Sequence, residues 1–333
     1  MNTPSIPRRQ AVALAVASTL TFVFVSPASA ADPYPSKIVK MVVGYAAGSS
    51  TDIVGRLVAT KLGELWKQTV IVENRGGAAG NLAADLVAKS APDGYTILMA
   101  QNGLAISVAG NPNLPFNGEK DLIPVVAVAA TPHILIVGIN SPYKTVKELI
   151  AAVKAKPGQM SFASSGVGNS DHMAAELFNA MAGLKATHIP YRGGSLAATD
   201  VLSGQVDYYF AGMPVGLPQV KGGRARALAV TSKQRFPGAP DVPTMAEAGL
   251  PGYEAVLWQG IFVPAGTPKA IVAKIATDVN SILDTPDMKE KMASAGVTIL
   301  RLSQKQFDAY YRADIVKWRK LIKASNINLG NAK

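Results

Sequence analysis

From residue 38 onward, short apolar runs alternate with stretches in which apolar positions recur every three to four residues. Residues 38–43 are mostly apolar and predict a buried strand, while Ile53, Val54, Leu57, Val58 and Leu62 fall on one helical face. The same reading predicts further strands at 70–72, 95–99, 122–130, 134–137, 160–163, 186–189, 205–210, 225–230 and 258–263. Helices are predicted at 82–89, 145–154, 171–181, 196–202, 269–283, 287–295 and 304–324. Thr145 and Glu148 have the spacing of a capping box. Residues 101–120, rich in Asn, Gly and Pro, and 237–251, rich in Pro and Gly, predict loops, the second a long surface loop. Strands alternating with helices argue for an α/β architecture built on parallel strands, opening with a right-handed βαβαβ block. The run at 122–130 is long enough to pass from one domain to another, and 258–263 to return.

Two joints in this pattern carry chemistry. The first strand reaches its helix through Gly44-Tyr45-Ala46-Ala47-Gly48-Ser49-Ser50-Thr51-Asp52. The strand at 160–163 reaches its helix through Ser164-Ser165-Gly166-Val167-Gly168-Asn169-Ser170. A helix start leaves backbone N–H groups without partners and favours an anion, and the hydroxyls add donors. The two loops lie over 100 residues apart, so two helix starts from two domains are expected to face one cleft and grip one anionic ligand. Candidate ligand contacts are Tyr45, Ala47, Gly48, Ser49, Ser50, Thr51 and Asp52 from the first loop. The second contributes Ser164, Ser165, Gly168, Asn169 and Ser170. Tyr191 and Asp207 join them, because strand ends of open α/β sheets commonly face the cleft. Asp52, itself an anion, fits the positive helix start better than direct ligand contact. The Gly-rich stretch at 73–81 reads as a structural loop.

The N-terminus reads differently. Arg8 and Arg9 precede an apolar run at 11–25, and Ala28-Ser29-Ala30 fits a signal-peptidase site, which predicts export with cleavage after Ala30. The run is short for a membrane span, and the Arg pair matches a twin-arginine signal only weakly. Without residues 1–30 the chain keeps 31 basic and 22 acidic residues, scattered and without a basic stripe, which disfavours nucleic acid and suits steering of small anions. There is no cysteine, so neither a disulfide nor thiolate chemistry is available. About 300 residues suffice for two domains.

Several ordered blocks resemble the receptors of the tripartite tricarboxylate transporter family, the Bug receptors. They include Tyr34-Pro35-Ser36-Lys37-Ile38, the 48–52 loop with Arg56, Glu73-Asn74-Arg75-Gly76-Gly77 and Ala91-Pro92-Asp93-Gly94-Tyr95. His188-Ile189-Pro190-Tyr191-Arg192-Gly193-Gly194, Gly204-Gln205-Val206-Asp207, Val242-Pro243-Thr244 and Pro264-Ala265-Gly266-Thr267-Pro268 continue the series. The resemblance covers nearly the whole exported chain. It implies a two-domain periplasmic-binding-protein fold of the type II kind, each domain a mixed sheet flanked by helices, with the ligand cleft between them. The expected division is 1–30 signal peptide, 31–128 plus 255–333 domain one, and 129–254 domain two. It further implies a monomeric periplasmic receptor that holds a small mono- or dicarboxylate, aromatic ones included, in the loops at 45–52 and 164–170. The acid would then pass to membrane transporter subunits. The family pattern has Pro-Phe where this chain has Gly44-Tyr45, and Gly-Gly where it has Gly48-Ser49, so a relative's ligand does not transfer.

No cofactor or metal is expected. His133, His172 and His188 make no metal spacing, and there is no H-E-x-x-H, G-x-S-x-G or Walker sequence. Two alternatives stay open: a ligand sensor feeding a signalling partner, and a secreted serine hydrolase using Ser165 or Ser170 with His172 or His188.

Overall fold

The computed structural model describes residues 34–324 together with Met1, Ile327 and Leu329. The signal peptide expected at 1–30 lies outside the described residues. Chain order begins β1 (Val39–Val43), α1 (Ser50–Trp66), β2 (Val70–Asn74), α2 (Asn81–Ala88), β3 (Thr96–Gln101), α3 (Gly103–Gly110) and β4 (Leu122–Gly138). It continues with α4 (Val146–Ala155), β5 (Ser161–Ser164), α5 (Ser170–Ala182), β6 (Thr187–Pro190), α6 (Gly194–Leu202), β7 (Tyr208–Gly212), α7 (Met213–Lys221) and β8 (Ala225–Val230). It closes with β9 (Val256–Pro264), α8 (Lys269–Asp284), α9 (Pro286–Ser294), β10 (Thr298–Ile299) and α10 (Gln304–Ala324).

The strands form one mixed sheet in the order β2-β1-β3-β9-β4-β7-β5-β6, with β8 and β10 also pairing β4. The βαβ units make β1 parallel to β2 and β3, and β5 parallel to β6 and β7. The two crossing strands run antiparallel to their neighbours, so the sheet is mixed where alternation alone argues for parallel. β4 is the spine. From Leu122 to Pro132 it pairs β9, and from His133 to Gly138 it pairs β7 and β8. The two strands expected at 122–130 and 134–137 are thus one. Pro132 is tolerated because it faces Val256, the first residue of β9, where a missing N–H interrupts no ladder.

Each half of the sheet buries both faces. β1, β3 and β9 are covered on one side by α1 and α8 through Val54, Val58, Leu62, Ile275 and Val279. The other side packs on α10 through Phe307, Tyr311, Ile315, Trp318 and Ile322. Those five follow the 3.6-residue repeat, and each buried side chain of this size contributes about 1.5–3 kcal/mol, which ties the C-terminal helix to the first half. In the second half, α4 and α5 cover one face, and α6 and α7 the other.

Five segments depart from the sequence reading. Residues 103–110, expected as loop, form α3, whose first five residues are all buried, so no polar face marks it. α7 carries Pro214 in its first turn and Pro218 inside, and β10 has only two residues. The 237–251 segment is irregular but not purely superficial. Met245 and Leu250 are buried, and Met245 N–H bonds Val230 O at 2.9 Å. Finally, β7 starts at Tyr208 rather than 205, which moves Asp207 out of the strand.

Candidate functional site

The parallel strands β1, β3, β5 and β7 deliver their C-terminal ends to one place, where the chain turns into α1, α3, α5 and α7. A cavity of about 20 Å³ sits there. Tyr45, Ser49, Ser50 and Thr51 line it from the first loop, and Ser165, Ser170 and Asp171 from the second. Gln101, His133, Gly194, Tyr209, Gly212 and Leu257 complete the wall. None of these is Lys or Arg.

The start of α1 is held by its own residues. Ser49 is the N-cap, its Oγ accepting from Asp52 N–H at 3.3 Å. Thr51 Oγ1 donates to Gln101 Oε1 at 2.9 Å. The Asp52 carboxylate accepts from Gly48 N–H at 2.8 Å, Asn74 Nδ2 at 2.8 Å and Arg56 Nε at 3.0 Å. Burial opposes ionisation of Asp52, but the bonds from Arg56, Asn74 and Gly48 outweigh it and hold the carboxyl below the usual range.

The start of α5 is arranged differently. Asn169 occupies the N-cap position without capping through its side chain. Its Nδ2 instead donates to Ser165 Oγ at 3.0 Å, and its Oδ1 accepts from Tyr45 OH at 3.2 Å. The single Tyr45 hydroxyl proton is shared between this oxygen and Ala79 O, 2.9 Å away, and burial raises this phenol well above its ordinary pKa. Asp171 accepts from Ser165 N–H at 2.7 Å and Tyr209 OH at 2.8 Å. The two loops are therefore joined directly, Tyr45 from the first half to Asn169 from the second.

Three histidines support the second loop. His133 Nε2 lies 3.0 Å from Ser170 Oγ, and burial, opposed by Asp171, keeps the ring neutral. His188 Nε2 lies 2.6 Å from Ser164 Oγ. His172 Nδ1 accepts from Gly168 N–H at 3.1 Å. The His172 and His188 rings stack at 4.0 Å, and burial followed by His172 pushes His188 down to about 3.

Of the sequence-predicted residues, Tyr45, Ser49, Ser50, Thr51, Ser165 and Ser170 meet at the cavity. Asn169 reaches its edge through Tyr45. Ser164 and Gly168 are buried in the loop framework against His188 and His172. Ala47 and Gly48 are exposed, and Gly48 borders a separate groove between α6 and α7. Asp52 is occupied in bracing α1. Tyr191 OH is turned to Asp200 at 2.6 Å, and burial followed by Asp200 raises it to about 12. Asp207 is a correction: it precedes β7 and bonds Ser161 N–H at 2.7 Å. That is the N-terminal edge of the parallel strands, opposite the cavity. Residues missed by the sequence reading are Gln101, Asp171, Gly194, Tyr209, Gly212 and Leu257; His133 was weighed only as a metal ligand. The sequence reading starts the 101–120 loop at Gln101, but Gln101 ends β3.

Ser170 pairs with His133, not with His172 or His188, and Ser165 with Asn169. No carboxylate orients the His133 ring from Nδ1; the Ala255 carbonyl approaches without hydrogen-bond geometry. Among the described residues no group of three His, Asp or Glu is placed to hold a metal ion.

Comparison with known proteins gives a consistent picture. Residues 54–327 match the family model of the tripartite tricarboxylate transporter family receptor. Protein BugT of Bordetella pertussis is 34% identical over 301 residues, 90% of this chain and 92% of its own. Among solved structures, Rpa4515 of R. palustris with adipate superimposes with a TM-score of 0.86 at 32% identity, covering 89% of this chain and 99% of that one. MatC from Rhodopseudomonas palustris with bound malate gives 0.83 at 31%, covering 87% and 100%.

Proposed function

The chain belongs to the tripartite tricarboxylate transporter receptor family, and from that premise we propose that it captures a small organic carboxylate where α1 and α5 begin. The family's solved members are periplasmic binding proteins, and the fold is theirs. One observation carries the assignment of the site: two helix starts from opposite halves of the sheet line one cation-free cavity and are bonded to each other through Tyr45 and Asn169. Backbone N–H groups and the Ser50, Ser165 and Ser170 hydroxyls supply donors to a carboxylate without a full positive charge.

In this reading the division is 31–128 plus 255–333 against 129–254. It is supported by the change of β4 partners at His133 and the start of β9 at Val256. A cavity of about 20 Å³ holds roughly one water, so an acid of several carbons enters when the halves part about β4 and β9. Residues 1–30 direct export to the periplasm, and the closed receptor docks as a monomer on membrane transporter subunits. Turnover of substrate has no part in this.

The test is a thermal-shift screen against a carboxylic-acid library, followed by calorimetry on the best acid. The S50A/S165A double variant should fold and bind that acid about 30- to 1,000-fold more weakly, since each hydroxyl to a carboxylate contributes about 1–2 kcal/mol. Unchanged affinity removes the two-loop pocket. Ester hydrolysis abolished by Ser170→Ala overturns the receptor reading itself.

A further inference from the structure

Beside the cavity lies a polar layer in which some buried atoms have no partners. Gln259 is fully buried, yet neither its Nε2 nor its Oε1 makes a hydrogen bond, and the buried Thr131 Oγ1 makes none either. Buried polar atoms are nearly always paired, because leaving one bare costs the whole of its lost hydration. Three such atoms on neighbouring strands mark a place shaped for something else.

Strand register says where they lie. Gln259 on β9 stands opposite Gln101 on β3 and Ala129 on β4. Directly opposed residues share a face of the sheet. Gln259 is therefore on the face of Gln101, which lines the cavity, and two residues from Leu257, which also lines it. Thr131 stands opposite Leu257 and two residues before His133, again both cavity-lining. The layer is uncharged: two amides, two threonine hydroxyls and a neutral imidazole, with the Asp171 carboxylate on the same cavity wall.

We propose that Gln259 and Thr131 form a neutral subsite that reads a hydroxyl or amide at the end of the ligand away from its bound carboxylate. An amide offers one donor and one acceptor side, and a hydroxyl can do either. A neutral group with both functions satisfies all three atoms. A second carboxylate accepts only, and it brings a charge into a layer with no cation to offset its lost hydration. The preferred ligand is thus a monocarboxylate with a neutral polar terminus. This rests on the carboxylate-receptor reading above.

Calorimetry on the full exported chain tests it with sets that differ only at the far end: butanoate, 4-hydroxybutanoate, succinamate and succinate, and the corresponding six-carbon acids. The wild type is expected to bind the hydroxy or amide member of one set at least 10-fold more tightly than both the unsubstituted acid and the diacid. Gln259→Leu and, independently, Thr131→Val are expected to shrink that ratio to below 3-fold; the ratio cancels any loss common to all ligands. A ratio unchanged in both variants overturns the subsite, as does a wild-type preference for the diacid. Failure of every acid in both sets and in the library overturns the receptor reading, and the subsite with it.

Discussion

Tyr45 shows how one hydroxyl adapts a shared frame. Its phenol oxygen ties the first loop to Asn169 and Ala79. Tyr45→Phe keeps the ring but leaves Asn169 Oδ1 short of a donor in the closed form. The expected result is an affinity about 5- to 10-fold weaker, equivalent to about 1–1.4 kcal/mol, appearing mainly in the dissociation rate measured by stopped flow. An unchanged dissociation rate would show that this bond does not help hold the halves together. Asp52 sits in the same loop and acts in the opposite way, through the fold. Asp52→Ala strips Gly48, Asn74 and Arg56 of a common acceptor and should lower unfolding stability by about 2–4 kcal/mol in a denaturant titration. A loss of affinity without loss of stability would return Asp52 to the ligand.

At the scale of elements, close approach is the critical feature. A Cβ on Gly212 would stand 2.3 Å from Ser50 Oγ, so the end of β7 touches the start of α1 only because residue 212 is Gly. Gly212→Ala should push the two apart and weaken acid binding more than 10-fold by calorimetry, and normal binding would place the site elsewhere. The strand-to-helix loop after β5 depends on His188. Its unfolded pKa is about 6.5 and its folded value about 3, so between them the unfolded chain binds more protons. Stability from this group is present above about pH 6.5 and is lost as pH falls toward 3. The loss is on the order of 2 kcal/mol once partial exposure is discounted. Melting curves from pH 7 to 4 should fall more steeply for the wild type than for His188→Gln. The amphipathic helices α1, α8 and α10 and the two Gly/Ser loops were legible because periodicity and turn chemistry are local. The partners of those loops were not. Gln101, His133 and Gly212 reach the cavity through strand register, which a pattern of apolar residues does not contain. α3 escaped because burial on all sides erases its polar face, and Asp207 was misplaced because it leads into β7 at the N-terminal side, while the cavity lies at the C-terminal ends of the parallel strands.

For the whole molecule, β4 and β9 are the strands that run from one half of the sheet toward the other, and both helix starts meet beside them. A receptor that closes on its ligand should become more compact in small-angle scattering when the best acid is added, and no change in radius of gyration would argue against hinge closure. The central claim is that one carboxylate is shared by the starts of α1 and α5. The most direct measurement is a crystal structure of the exported chain with the best acid from the library. The account expects carboxylate oxygens within about 3.2 Å of donors from both 45–51 and 165–171. Density for the acid against only one of these segments, or in the groove between α6 and α7, would contradict it.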